Sequence, residues 1–591
     1  MSFLSRCFSN NDRGNMPDGD DMAEIEAEIA RVTSETRKVV EQKRQRLKDL
    51  DLFVLDNSIR ESTVGQLRSH TLQNKLEILE QVQKVGIKDI IVASFSHMTR
   101  VDDDFVQHLK DNSYNFSHFY SFSEVTEGIK PGTNVYDTET LPVSLGKNHK
   151  YGIPNTIFEV DLASDEVDWE TKFTNDDMCQ LIHKWMKWTY KNITKSARIL
   201  INFRDLPLAM TEAPKRLFYV MRYLCKLSPE ERPFALLFEE PTGDFLPEEL
   251  ETWTASVRRT MSSCGWVNGK ILVHIHQKWD LQTAGQLDCL SAGADGIWCS
   301  LCEEGAAMGH ACSSITMMNL IRLGNKKVSE KYNSVHIRNA AIEVTKITTG
   351  RLPHPKQVLY GERAVDLVFG EGAMGAGLFD LAEFFGVETP NRISTLATTE
   401  MIVEHLEKNF GKNPQFTKDI AKKMKEKMLE DLRDGRKEEY NSPAGVAYLF
   451  DSAGGKLTEK MSDVIAKIKV KNKHHQSLID EVRKQWDFWD QRDAVQNDDR
   501  LQFDSFYHGF MQPYFGCYRC PNTKKGLKAL DMNLDGYVDW KEFLVFVKWA
   551  LHQYPDVADV DELMSIVFEK GLVPAMRDER VNQNVYNRSS I

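Results

Sequence analysis

Leu52-Phe53-Val54-Leu55-Asp56-Asn57-Ser58-Ile59-Arg60-Glu61 decides between two α/β folds. Its four apolar residues read as a short strand, and the residues after them are polar or charged. In a doubly wound open sheet the first strand would run into a glycine-rich phosphate loop. None follows here. In a (β/α)8 barrel the same position is the catalytic C-terminal rim, where Asp56, Arg60 and Glu61 suit the location.

Outward from this stretch, the pattern predicts strands at 52–55, 89–95, 118–122, 156–162, 198–203, 234–238, 271–276 and 296–301. Amphipathic helices are expected at 72–85, 104–110, 176–190, 212–227, 247–263 and 281–292. Eight βα units in about 260 residues match the size of a (β/α)8 TIM barrel. At 591 residues the chain is too long for one core, and it divides into several parts. These are a disordered N-terminal tail (1–16), an N-terminal helix (17–50), the barrel (51–330), a helical extension (331–475), an all-α calcium-loop pair (476–575) and a C-terminal tail (576–591). Within 17–50 the apolar positions Met22, Ile25, Ile29 and Val32 alternate by three and four. This stripe suits a solvated helix packed along the body, with self-association into a homodimer as the alternative.

The formal net charge of −12 speaks against a nucleic-acid surface, which needs clustered Lys and Arg. No apolar run approaches 18 residues, so no membrane span is expected. The ten cysteines are scattered, as suits free thiols in a reducing, cytoplasmic setting. Arg6 and Arg13 in an acid-poor start leave a mitochondrial alternative open. Cys517-Tyr-Arg-Cys520 has CxxC spacing without a second pair, which falls short of a zinc site.

The seventh strand ends in Val273-His274-Ile275-His276-Gln277. Residues two apart on a strand share a face, so both imidazoles can converge on one point as metal ligands, or stand as two satisfied polar side chains. Charged and polar groups gather at other strand ends: Arg204 and Asp205, Glu239 and Glu240, then Cys302, Glu303, Glu304 and His310. A carboxylate with two or three imidazoles at one mouth suits Zn²⁺, Mn²⁺, Mg²⁺ or Co²⁺.

Near the C-terminus, Asp531-Met-Asn533-Leu-Asp535-Gly536-Tyr537-Val538-Asp539-Trp-Lys-Glu542 places oxygens where a calcium-binding EF-hand loop needs them. Asp531, Asn533, Asp535, Asp539 and Glu542 supply side chains, Tyr537 a carbonyl, and Gly536 the sharp turn. A partner loop is expected at 494–506, with Leu501 equivalent to Val538; Ala494 and Ser505 are poor ligands, so it should pair without binding ion.

The barrel segment, from Leu52 to Phe369, resembles the DRE-TIM metallolyase superfamily, which includes HMG-CoA lyase and 2-isopropylmalate synthase. The pieces are Asp56-Asn-Ser-Ile-Arg60-Glu61, Glu240-Pro-Thr242-Gly243, His274-Ile-His276, Gly305-Ala-Ala-Met-Gly309-His310 and Tyr360-Gly361-Glu362-Arg363-Ala364. The resemblance implies metal ligands Glu61, His274, His276 and His310, with Arg60 stabilising an enolate. It departs at Glu61 in place of aspartate, at Gln277 after the histidine pair, at Ile91 where lyases carry glutamate, and around Cys302. Acid–base work is left to Cys302, Glu240 or Glu303. The expected function is aldol or Claisen chemistry on a 2-oxo acid, hydroxy acid or acyl-CoA, with the calcium loop as a responsive module or docking point for a protein partner. The alternative is a calcium-binding interaction protein on a barrel that has lost turnover.

Overall fold

The computed structural model describes residues 19–60, 71–95, 100–305, 308–365, 379, 381–387, 393–433, 440, 442–493, 495–511, 530–531 and 535–572. Expectations placed on 1–16, Glu61, Ala494, Cys517, Cys520, Asn533 and 576–591 lie outside the described residues. The chain divides into two compact units, 1–61 with 82–334 and 62–81 with 335–591.

In the first unit eight parallel strands close into a barrel in sequence order. They are β1 (Phe53–Asp56), β2 (Asp89–Ser94), β3 (Phe119–Glu124), β4 (Asn155–Asp161), β5 (Ile199–Arg204), β6 (Ala235–Glu240), β7 (Lys270–Ile275) and β8 (Gly296–Cys299). A parallel strand covered on both faces reads as a continuous apolar run, and β5 is buried from Ile199 through Phe203. Alternate residues point inward. Leu55, Ile91, Phe122, Ile157, Leu200, Leu237, Leu272 and Trp298 fill the middle of the barrel, so it is a packed core with no pore. Below this layer Asp89 accepts hydrogen bonds from Arg198 (2.8 Å) and Tyr120 (3.1 Å), tying β2, β3 and β5 together at the N-terminal face.

The N-terminal helix α1 spans Gly19–Asp49. The helices between strands include α2 (Leu72–Lys84), α3 (Arg100–Asp111), α4 (Val143–Tyr151), α5 (Asn175–Asn192), α6 (Leu206–Glu212), α7 (Pro214–Lys226), α8 (Pro247–Ser263) and α9 (Gln282–Ala292). Sequence periodicity anticipates most of them but not α4. The reason is chemical: its buried face carries Ser144 and Asn148 beside Leu145 and Tyr151. Asn148 donates to Ser123 Oγ (3.0 Å) and Thr156 Oγ1 (3.2 Å) and accepts from Ser121, so α4 docks on β3 and β4 largely through hydrogen bonds.

Among the described residues, the second unit contains two apolar clusters. One gathers Ile402, Leu406, Met424, Phe450 and Met461; the other gathers Trp486, Phe506, Phe510, Phe543 and Val547. A single helix, Glu459–Asp490, enters both, through Met461 and Ile465 at one end and Val482 and Trp486 at the other. The 475/476 boundary expected from sequence falls inside it. Two short strands, β9 (Arg500–Gln502) and β10 (Tyr537–Asp539), pair antiparallel with Leu501 opposite Val538. Among the described residues, no helix is long and apolar enough to cross a membrane.

Candidate functional site

Leu272 lies in the barrel interior, so His274 and His276, two and four residues on, share its inward face at the C-terminal mouth. Their Nε2 atoms lie 3.0 Å apart. His274 Nδ1 lies 2.7 Å from the Trp298 carbonyl, which only accepts, so Nδ1 carries the proton and Nε2 presents a lone pair. The ring also packs on Trp298, with centroids 4.4 Å apart, fixing its orientation. Two imidazole nitrogens at this separation share a proton or a cation. A divalent ion fits: nitrogens about 2.1 Å from one ion and 3.0 Å from each other subtend roughly 90°.

His310 is brought to the same place from the loop after β8. Its backbone pairs with His276, and its ring centroid lies 5.2 Å from that of His274 and 6.4 Å from that of His276. Gly309 makes this approach possible: at φ +84° a Cβ would stand 2.6 Å from the Glu303 carbonyl. His310 Nε2, however, lies 3.1 Å from Ser300 Oγ. The structure therefore gathers three imidazoles, of which two are shown meeting at one point. Among the described residues, no group of three or more His, Cys, Asp or Glu side chains is arranged to hold a metal.

Arg60 stands at the mouth with its guanidinium 4.6 Å from the centre of the inward-facing Phe122 ring. Ile91 joins the apolar interior. Asp56 faces the other way. Its carboxyl is fully buried and accepts from Ser58 N (2.9 Å) and Ser58 Oγ (3.0 Å), and burial pushes its pKa up to about 7.

Two residues expected to move protons are placed otherwise. Glu240 is corrected: Leu237 is interior, so Glu239 shares its face and Glu240 does not. The Glu240 carboxylate accepts from the backbone of Thr242 (2.8 Å) and Gly243 (2.9 and 2.8 Å), closing the turn after β6. Cys302 is fully buried, with its thiol 4.0 Å from the carbonyl of Glu304 in its own loop. Glu303 accepts from Gln282 Nε2 at 3.1 Å.

The interior face carries three groups that sequence reading passed over, Glu124, Glu159 and Asn202, beside Arg204 and Glu239, which it places at strand ends. Glu124 on β3 stands in register with Glu159 on β4, and Glu159 with Asn202 on β5. Asn202 donates to Glu239 at 2.6 Å, and Glu239 is in register with His274. A polar arc thus runs round the mouth to the histidines. Burial and the neighbouring Glu159 raise the Glu124 pKa well above the usual carboxylate range. Burial works to lower that of Arg204, but Glu159, Glu124, Glu239 and Asp161 outweigh it and the net shift is upward. The signal that finds these residues is alternation: each lies an even number of positions from an interior residue of its own strand.

In the C-terminal loop, Asp531 accepts from the backbone of Asp535 (3.0 Å) and Gly536 (2.9 Å), and Glu542 accepts from Asp539 N (2.8 Å). Tyr537 donates its backbone N–H to Asp535 (2.9 Å). Burial and then Asp535 raise the pKa of Asp539. The partner loop is closed by protein groups. Asp490 accepts from Asp499 N at 3.1 Å, and Asp493 accepts from Ser505 Oγ at 2.8 Å and from Gln502 N.

No protein-family model and no curated protein matches the chain. Solved structures similar to it include HMG-CoA lyase from Bacillus subtilis, 14% identical, with a TM-score of 0.39, covering 52% of this chain and 96% of that one. An HMG-CoA lyase from Acinetobacter baumannii, in complex with coenzyme A and 3-methylmalate, is 11% identical with a TM-score of 0.39 over 54% of this chain and 97% of that one. The carboxyl transferase domain of Rhizobium etli pyruvate carboxylase (Y628A, with pyruvate) is 12% identical with a TM-score of 0.36 over 73% of this chain and 74% of that one. No residue's role follows from these likenesses.

Proposed function

We propose that the barrel is a divalent-metal-dependent carbon–carbon lyase or condensing enzyme acting on a 2-oxo acid, hydroxy acid or acyl-CoA. The observation that carries this reading is the meeting of His274 and His276 Nε2 at 3.0 Å, with His274 held in the ligating tautomer by Trp298. These two nitrogens would hold the ion, with Glu61 completing the set. An ion held there would supply Lewis acidity to a substrate oxygen.

Everything else is done by the chain. Arg60 offers an always-charged guanidinium for the negative charge that develops on an enolate oxygen. Glu124 and Glu159, too close in the barrel mouth for both to ionise freely, keep a proton on a carboxyl near neutral pH. That pair replaces Glu240 and Cys302 as the proposed proton carrier, since Glu240 is committed to its own turn. The buried middle of the barrel excludes water from below.

The test is metal content. Full-length protein, purified without chelator, should carry one equivalent of divalent metal beyond calcium, and His274→Ala should lose it. Retention of that equivalent in His274→Ala means the ion sits elsewhere. Turnover of a panel of acyl-CoA and 2-oxo-acid substrates then separates this reading from a second one, a non-catalytic calcium-binding interaction protein. The contact of His310 Nε2 with Ser300 Oγ favours the second, because it gives that nitrogen a protein partner in place of an ion.

For the C-terminal loop the proposal is calcium binding by Asp531, Asn533, Asp535, Asp539, Glu542 and the Tyr537 carbonyl. The partner loop, stapled by Asp490 and Asp493, would pair with it without taking ion.

A further inference from the structure

Among the described residues, the helix α1 is docked along its last turns. Lys43 bonds Glu251 (2.7 Å) and Asp288 (3.1 Å), Arg46 reaches the Leu290 carbonyl (3.3 Å), and Leu47 and Leu50 are buried. Residues 23–32 and 37–42 are all exposed. These exposed stretches carry a seam: Ile25, Ile29, Val32 and Val39 follow steps of four, three and seven, the spacing of a heptad core. They stand 44%, 48%, 49% and 58% exposed.

Such a seam needs an explanation. A helix standing in water receives little support from its own hydrogen bonds, and β-branched residues at exposed positions weaken it further. In a coiled-coil core such side chains are buried against those of a second helix. The exposed pairs Arg31–Glu28 and Arg31–Glu35 lie at 2.5 and 3.6 Å along the same helix and add little.

The charges name the partner and its direction. Residues 19–30 carry five acids and no base, whereas 31–42, which would face them in an antiparallel pair, carry three bases and two acids. Parallel pairing of two copies would set acid against acid. Antiparallel pairing sets the acidic half of each against the basic half of the other, and a two-fold axis near Ala30–Arg31 brings Ile29 of one copy to Val32 of the next and Met22 to Val39. We propose that α1 joins two copies of this chain as an antiparallel coiled coil.

Sedimentation of the full-length chain at micromolar concentration tests this. The wild type should be a dimer. Ile29→Asp and Val32→Asp each place a charge in the seam and should raise the dimer dissociation constant more than tenfold. Because both side chains are exposed in the single chain, the melting temperature of the barrel should not change. Ala27→Asp, on the outer face, should leave the dimer intact. Salt decides direction: antiparallel pairing weakens as sodium chloride is raised, because attraction between unlike halves is screened, whereas parallel pairing would tighten. A monomeric wild type, a dimer indifferent to Ile29→Asp and Val32→Asp, or a dimer strengthened by salt each overturns the proposal.

Discussion

Asp56 illustrates how a single buried group sets a pH dependence. Its folded-state pKa, raised by burial from 3.8 to about 7, means that the unfolded chain gives up this proton first as pH rises. Stability from this carboxyl is therefore complete below about pH 4 and is lost as pH rises through 7, by roughly 4 kcal/mol in total. Asp56→Asn should match the wild type near pH 4 and exceed it near pH 8, measured by urea unfolding at both; lower stability at pH 8 would mean that the charge itself is in use. In the C-terminal loop, Glu542→Gln should remove the high-affinity calcium transition in a titration, because it deletes one oxygen of a bidentate ligand. At this scale the histidine pair was legible, since i and i+2 on a strand share a face. Glu124, Glu159 and Asn202 were not, because their meeting depends on register between strands separated by about 35 to 45 residues. The choice of Glu240 over Glu239 was a miss of one position, and on a strand one position is the other face.

Among the elements, strands declared themselves more clearly than helices. Strands such as β5 and β7 are apolar nearly throughout because helices or other strands cover both faces, and such runs need no knowledge of partners, whereas β3 and β4 are about half polar. The helix Pro247–Ser263 was found to the residue from proline at its first turn and its apolar periodicity. In α4 the buried side is half polar, so periodicity had nothing to detect. Its attachment can be tested. Asn148→Ala leaves Ser123 and Thr156 without a bond that Asn148 supplies, and should cost about 2 to 3 kcal/mol in denaturant unfolding. A cost below about 0.5 kcal/mol would show that α4 is held by Leu145 and Tyr151 alone. In the barrel interior, Leu237→Ala should cost about 2 to 5 kcal/mol by the same measurement.

On the scale of the whole molecule, the two units have separate apolar clusters, so calorimetry should resolve more than one transition. Calcium should raise only the transition of the unit containing Glu542, by the linkage between binding and folding, and a shift of both would show thermodynamic coupling. Length and the change from βα alternation to charged helices led to the expectation of several parts. The junctions were harder, because the helix Glu459–Asp490 belongs to two clusters and carries no glycine or proline to mark a border. Continuity has a mechanical meaning. Thirty-two residues make a rod of about 48 Å, and turning it by about 10° around its Trp486 end would sweep the opposite end through about 8 Å. A rod of that length would turn a small rearrangement beside the aspartate-rich loops into a large displacement near Met461.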